Sequence, residues 1–318
     1  MTQLSIILPC HNEAGNIEEC YRQLTGVLSA TGRSYECIFV DDGSTDSTLA
    51  MLKELGSMDS RVKFISFSRN FGHQQALRAG MDMAAGQAVI TMDSDLQHPP
   101  TLIPVLLSRL EEGFDVVNTR RTDAAGTGSF KRVTSAMFYR AFNFLTGMDM
   151  QPGMADFRLM NRKVADVLCS YHEQDLFLRG MIEQCGFRQT IVPYQAGERY
   201  RGESRYTLSR MLALALDGIT AFTIRPLRLA VLLAVFFALL GLAELLYVCY
   251  ISFFTDRGVS GWASLALLIT ALGTATLLML GIIGEYVGRT FVQVKQRPSY
   301  IIRETSIRAS HTTTAISS

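Results

Sequence analysis

Two apolar stretches in the last third of this chain limit its folding more than any other feature. Residues 227–254 carry only two charges, Arg228 and Glu244, and residues 262–287 carry one, Glu285, near their end. Each stretch exceeds the roughly 20 residues a helix needs to cross a bilayer. The connection Thr255-Asp256-Arg257-Gly258 is short, so the pair reads as a transmembrane hairpin, about 227–254 and 262–287. Arg225, Arg228, Arg289, Lys295 and Arg297 flank the open ends, while the connection carries one Arg beside an Asp. That bias puts both termini in the cytoplasm. The alternative is a buried helical pair of a soluble protein. Composition shifts near residue 225, so the preceding residues read as a separate, cytoplasmic body.

Lys and Arg number 30 against 29 Asp and Glu in 318 residues, a balance that argues against a nucleic-acid partner. Cys10, Cys20, Cys37, Cys169, Cys185 and Cys249 are scattered, with no Cys-x-x-Cys pair. They read as reduced core residues, not as a disulfide frame or zinc site. The first apolar run is cut by Pro9 and His11 and lacks a basic leader, so it reads as a strand and not as a signal peptide.

Apolar, β-branched runs at 4–9, 35–40, 62–67, 88–92 and 115–118 predict strands, separated by segments with helical spacing such as Ile17, Tyr21, Leu24 and Leu28. This alternation predicts a parallel sheet with helices on both faces. Three strand ends carry acids or an amide: Asp41 and Asp42, Asn70, and Asp93 with Asp95. If the strands are parallel, these ends share one edge, where ligands of open α/β sheets bind. In Asp93-Ser94-Asp95-Leu96-Gln97, carboxylate and amide oxygens suit a hard cation such as Mg²⁺ or Mn²⁺, which keeps positions for substrate phosphates. The plainer alternative is a polar cap before the helix expected from Pro99. The chain has no Gly-x-Gly-x-x-Gly and no Gly-x-x-x-x-Gly-Lys-Ser/Thr cradle. A phosphate ligand would therefore need the metal and basic residues.

Arg120, Arg121 and Lys131 bracket a loop at 122–128 able to close over a diphosphate; a solvated basic surface is the alternative. A helix is expected at 130–145. Asp156 follows a Gly turn, which either aims it into a site or leaves it stabilising the turn. Arg201, Ser204 and Arg205 lie in a polar loop. Leu208, Met211, Leu212, Ala215, Leu216, Ile219 and Phe222 then follow at helical spacing. That pattern predicts an amphipathic helix, 204–225, in the membrane interface or packed on the soluble body. Arg201 and Arg205 fall near the membrane surface either way, which points to a lipid-borne anionic acceptor. Glu244 is expected to make a polar contact within the hairpin or between protomers. Gly281, Gly284 and Gly288 form a small-residue stripe that permits close helix approach and a homo-oligomer. Residues 291–318 read as a cytoplasmic tail with a disordered, Ser/Thr-rich end.

Six elements recur in order: Leu8-Pro9-x-x-Asn12-Glu13, Val40-Asp41-Asp42-Gly43-Ser44-x-Asp46, Arg69-Asn70-Phe71-Gly72, Asp93-Ser94-Asp95-Leu96-Gln97-x-Pro99-Pro100, Asp156-Phe157-Arg158-Leu159 and Arg201-Gly202-Glu203-Ser204-Arg205-Tyr206. Together with the hairpin, they make the chain resemble glycosyltransferase family 2 in its polyprenyl-phosphate branch, over roughly residues 3–300. The resemblance implies an α/β GT-A (Rossmann-like) catalytic domain at 1–203, an inverting mechanism and a divalent metal, Mg²⁺ or Mn²⁺. It implies a nucleotide sugar as donor, with UDP-glucose favoured, and undecaprenyl or another polyprenyl phosphate as acceptor. Pro9, Asn12, Glu13 and Asp42 would line the nucleoside pocket with Asp41 beside them, and Asn70 would belong to the same donor site. Asp93 would face ribose or sugar, and Asp95 with Gln97 would hold the metal. Arg120 and Lys131 would meet phosphates; Arg201, Ser204 and Arg205 would meet the acceptor phosphate. Asp156 matches the acid often described as the base. A phosphate monoester, with its second pKa near about 6, is largely dianionic at neutral pH, so Asp156 is expected mainly to orient a substrate. A processive polysaccharide synthase of the same superfamily is a poor match, because the chain's one Trp, Trp262, lies in the hairpin and no Gln-x-x-Arg-Trp element is present. The intact acids and arginines argue against a non-catalytic scaffold.

Overall fold

The structure is a computed structural model that describes residues 2–122, 140, 142–144, 146–147, 151–174, 176–195, 223–254 and 261–307. It divides into two compact units, residues 1–207 with 298–318, and residues 208–297.

The first unit is built on one sheet: β1 (Leu4–Cys10), β2 (Tyr35–Asp41), β3 (Val62–Phe67), β4 (Ala88–Thr91), β5 (Val116–Thr122), β6 (Met154–Asn161), β7 (Gln189–Gln195) and β8 (Ile302–Thr305). The strand order is β7-β5-β6-β4-β1-β2-β3-β8. The four strands β4, β1, β2 and β3 run parallel. Every residue of β1 and β2 is buried, as near-continuous apolar runs require when helices cover both sheet faces. Those helices are α1 (Ile17–Ala30), α2 (Thr48–Met58), α3 (His73–Met83), α4 (Ile103–Glu111), α5 (Arg162–Ser170) and α6 (Leu178–Gln184). Helix α1 buries Ile17, Cys20, Leu24 and Leu28 at three- and four-residue spacing, while Tyr21 is partly buried and its hydroxyl bonds Asp59 at 2.8 Å. The apolar core joins Leu4, Ile6, Leu8, Phe39, Ile90 and Phe157 across the sheet.

The expected all-parallel sheet is corrected to a mixed one. Strand–helix alternation ends at β5, and β6 enters between β4 and β5 running the other way. Thr91, the last residue of β4, pairs with Arg158, so the beginning of β6 reaches the edge formed by the carboxyl ends of the parallel strands. This is how Asp156 joins residues from a different part of the chain. Strand β7 is parallel to β5.

The reading of 291–318 as a tail is also corrected. The second apolar helix continues to Val294, and Ile302–Thr305 form an edge strand antiparallel to β3. Ser68 N donates to Ile301 O at 3.0 Å, Lys53 pairs with Glu304 at 2.7 Å, and the Tyr300 ring stacks on Phe67 at 5.2 Å. An edge strand needs few apolar residues, so this short run carries no strand signal of its own. Residues 308–318 lie outside the described residues.

The second unit contains α7 (Arg225–Phe254) and α8 (Trp262–Val294), of 30 and 33 residues. Within them, Val231–Ile251 and Leu268–Val294 are long and apolar enough to cross a membrane. Neither window is buried among the described residues, unlike the core helix of a soluble protein. The Tyr286 hydroxyl donates to Thr223 O at 2.6 Å and ties α8 to the residues leading into α7. Gly281, Gly284 and Gly288 face open space among the described residues. The interfacial helix expected at 204–225 lies outside the described residues as far as residue 222. Most of the loop at 122–128 and the helix expected at 130–145 lie outside them too, as does the connection at 255–258.

Candidate active site

The site begins where β1 and β2 end. Asn12 adopts φ +57°, a conformation that Asn tolerates, and its side-chain oxygen accepts from Thr45 N at 2.8 Å. Asn12 N donates to Ser44 Oγ at 2.9 Å, and Glu13 N donates to Thr48 Oγ1 at 2.9 Å, so the two loops brace each other. Asp41 and Asp42 are both buried. Asp41 accepts from Ser44 N at 3.0 Å and Ser66 Oγ at 2.8 Å. Asp42 accepts from Phe71 N at 2.6 Å and Gly72 N at 2.9 Å. The Asp42 carboxylate therefore fixes the Asn70–Gly72 turn and the start of α3. Gly43 makes the close approach possible: at φ +64°, a Cβ there would meet Arg69 C at 2.4 Å and Asn70 N at 2.6 Å. Asn70 is exposed beside this turn, and Arg69 lies 4.1 Å over the Phe71 ring.

The end of β4 is tied to β1 by Ser94 Oγ, which donates to Pro9 O at 2.9 Å. Leu96 turns at φ +65°, and Gln97 N donates to Asp95 Oδ1 at 3.1 Å. Asp93 N donates to His98 Nδ1 at 3.0 Å. The buried His98 ring stacks on Phe157 at 5.3 Å and meets Tyr194 edge-on at 6.0 Å. Burial, with the Asp93 and Asp95 charges adding and Arg121 opposing, pushes the Tyr194 hydroxyl up to about 12.

Asp156 and Asp93 converge on one imidazole. His73 Nε2 lies 2.8 Å from Asp93 Oδ1, and His73 Nδ1 lies 3.9 Å from Asp156 Oδ2. Asp156 Oδ1 accepts from Arg158 Nη2 at 2.7 Å and Arg179 Nε at 2.9 Å, and Oδ2 accepts from Arg179 Nη2 at 3.0 Å. Burial alone would raise the Asp156 carboxyl; Arg179 and Arg158 overcome it and hold it well below the usual range. Asp93 is also lowered, against burial, by its hydrogen bond to His73 and the nearby His98. Burial disfavours the His73 cation, but Asp93 and Asp156 outweigh it and raise its pKa. A cavity of about 380 Å³ adjoins this cluster, with Arg158, Arg179, Asn118 and Gln189 in its wall.

Pro9, Asn12, Glu13, Asp41, Asp42, Asn70, Asp93, Asp95, Gln97 and Asp156 all lie on strands or loops at this sheet edge. Arg120 lies further along β5, exposed, with Nη1 donating to Gln151 Oε1 at 3.0 Å. Lys131, Arg201, Ser204 and Arg205 lie outside the described residues. Among the described residues, no three His, Cys, Asp or Glu side chains gather as a metal cage. The oxygen donors Asp95 and Gln97 instead fit a hard cation that completes its shell with substrate oxygens. His73, Arg179 and Tyr194 escaped the sequence reading. The sequence offered only one hint for them, the position of His73 directly after Asn70-Phe71-Gly72.

A family model described as "Glycosyl transferase family 2" matches residues 5–169. An "Uncharacterized glycosyltransferase YkcC" of Bacillus subtilis (strain 168) is 43% identical over 302 residues, covering 95% of this chain and 94% of that protein. A "SfII prophage-derived bactoprenol glucosyl transferase" of Shigella flexneri is 34% identical over 302 residues, covering 95% and 98%. Among solved structures, mannosyl-3-phosphoglycerate synthase from Rubrobacter xylanophilus superposes with a TM-score of 0.50 at 19% identity, covering 71% of this chain and 74% of that one. That likeness concerns the fold alone.

Proposed function

This chain belongs to glycosyl transferase family 2 and is a glycosyltransferase with a GT-A catalytic unit; from that premise, we propose that it transfers a sugar from a nucleotide sugar to a polyprenyl phosphate at a membrane. The observation that carries the reading is the near full-length likeness, apolar helices included, to a protein named for glucosyl transfer to bactoprenol. Glucose is therefore the first choice of sugar and UDP of nucleotide. Formyl-aminoarabinose, galactose, N-acetylglucosamine and mannose are the alternatives to test.

The residues support an inverting displacement by an acceptor phosphate oxygen. The loops braced by Asn12, Glu13 and Asp42 are assigned to the nucleoside, and Asp93 to the ribose or sugar. Asp95 and Gln97 would hold Mg²⁺ or Mn²⁺, which when bound offsets charge on the leaving diphosphate. Asp156, engaged by Arg158 and Arg179 and held anionic, makes a weak proton acceptor. A phosphate monoester near neutral pH is already largely dianionic, so its attack needs little base assistance. Asp156 is therefore assigned to orientation. Arg201, Ser204 and Arg205 are assigned to the acceptor phosphate, where they offset repulsion between two anionic substrates. The apolar helices would confine enzyme and acceptor to one membrane, raising effective concentration. We assign the catalytic unit and both termini to the cytoplasm.

The test uses the purified, detergent-solubilised full chain with Mg²⁺, undecaprenyl phosphate and a panel of nucleotide sugars, read by mass for the glycolipid, with Asp95→Ala as control. Product from one donor, lost with chelator and in Asp95→Ala, is expected. No product from any donor with folded protein and lipid present would overturn the acceptor assignment.

A further inference from the structure

We infer that His73 is a positioning residue, which holds the donor-side carboxylate Asp93 and the orienting carboxylate Asp156 at a fixed separation across the reacting centre. The inference rests on the glycosyl transfer proposed above and gives that site a part so far unassigned.

The backbone at His73 has little freedom. It is the first residue of α3, and the two preceding amides, Phe71 N and Gly72 N, are both gripped by the buried Asp42 carboxylate. Gly72 takes φ +103°, a conformation that favours glycine. The following residues anchor the same turn on other elements. Gln74 Oε1 accepts from Leu178 N at 3.2 Å while its amide lies 3.5 Å from Asp156 Oδ2, and Gln75 Nε2 donates to Gln174 O at 3.0 Å. The imidazole therefore projects from a fixed platform between two strands that approach from opposite directions. Its two nitrogens face the two acids.

The charged groups around the ring explain why an imidazole suits this position. Asp93 and His98 face it from the β4 loop, Asp156 and Arg158 from β6, and Arg179 from α6. The arginines hold Asp156 from the β6 and α6 side, whereas His73 lies between it and Asp93. Without the ring, the half-buried Asp93 would lose the hydrogen bond that holds it on the Asp156 side of the site, and the two like charges would be left to repel. The elevated basicity of His73 agrees with that environment.

The test compares His73→Ala, which removes both contacts, with His73→Gln, whose amide can still donate to Asp93. Misplacement of reacting groups by about 1 Å costs up to ~10²-fold in rate. The expected result is therefore a kcat loss of roughly 10- to 100-fold in His73→Ala, with most of the rate restored in His73→Gln. Rates are taken per folded molecule, with the folded fraction measured by thermal unfolding, so a purely structural role would leave kcat unmoved. An independent readout is the His73 imidazole resonance in histidine-labelled protein, assigned by its loss in His73→Gln. It is expected to shift in both Asp93→Asn and Asp156→Asn. Wild-type kcat in His73→Ala, a Gln variant no better than Ala, or a resonance indifferent to either acid would overturn the inference. If wild-type protein yields no glycolipid, the proposed function fails, and the resonance still decides whether His73 bridges the two acids.

Discussion

At the scale of single residues, Asp156 is the most informative. Its carboxylate pairs with two guanidinium groups, one of them on the buried Arg158. Asp156→Asn leaves those charges without their counter-ion, and breaking a buried pair from one side costs about 3–5 kcal/mol. A loss of that size should appear in denaturant unfolding at pH 7. The sign of its pH dependence follows from the depressed pKa. The contribution of Asp156 is fully present above the ordinary Asp value of about 4 and disappears as pH falls through the lower native value. Wild-type stability should therefore fall more steeply with acid than that of Asp156→Asn. In the glycosyl transfer assay, an orienting role predicts that the variant's loss is concentrated in the acceptor KM. A kcat loss of roughly 10²–10⁴ would instead mark a general base. Gly43 is a second case. An added methyl would collide with the Arg69–Asn70 peptide, so Gly43→Ala should cost about 1–3 kcal/mol and raise the donor KM. The acids at strand ends were legible in the sequence because each sits beside its own apolar run. His73 and Arg179 were not, because their partners lie 20 and 23 residues away in the chain and only the antiparallel entry of β6 brings Asp156 between them.

Among the elements, α3 ties several parts of the catalytic unit together. It buries Gln75, Ala76, Leu77, Arg78, Ala79, Gly80 and Met81, a run with no clean apolar stripe. Gly80 lets it lie against β1, where a Cβ would meet Ile7 Cγ2 at 2.3 Å. Arg78 explains the buried charge: its guanidinium donates to Leu168 O at 3.1 Å, Tyr171 O at 2.7 Å and Cys169 O, closing the C-terminal end of α5. Positive charge at a helix C-terminus is favourable, and it satisfies carbonyls that the helix cannot. Arg78→Met keeps much of the stem and removes those bonds, leaving buried acceptors unsatisfied at about 1–3 kcal/mol each. A fall in melting temperature with substrate KM preserved is the expected outcome. Strand–helix alternation predicts a helix between the strands at 62–67 and 88–92 but not this linkage, since a buried Arg looks like a surface residue until its acceptors are known. Strand β8 was hidden for the opposite reason. Ile302-Arg303-Glu304-Thr305 holds one apolar residue in four and no alternation, and its role comes from the edge of β3 that it covers.

For the whole molecule, the catalytic unit is discontinuous in sequence. Residues 298–307 complete a sheet that begins at residue 4, with the apolar helices inserted between. A chain ended at Arg297 keeps every motif recognised in the sequence but loses β8, Tyr300 and the Lys53–Glu304 pair. Its β3 becomes an exposed edge, open to pairing with other molecules. Such a chain should appear as aggregate by size exclusion, whereas Tyr300→Ala should remain dispersed and unfold at a lower temperature.

The pairing of β8 with β3 also sets a rule of parity. The strands on either side of the insertion meet in one sheet, so they must occupy one compartment. If α7 and α8 cross a membrane, the number of crossings between them must be even. One missed crossing would leave β8 on the far side and the edge of β3 empty. In that case the sheet would act as a check on insertion, since only a chain threaded out and back could finish folding.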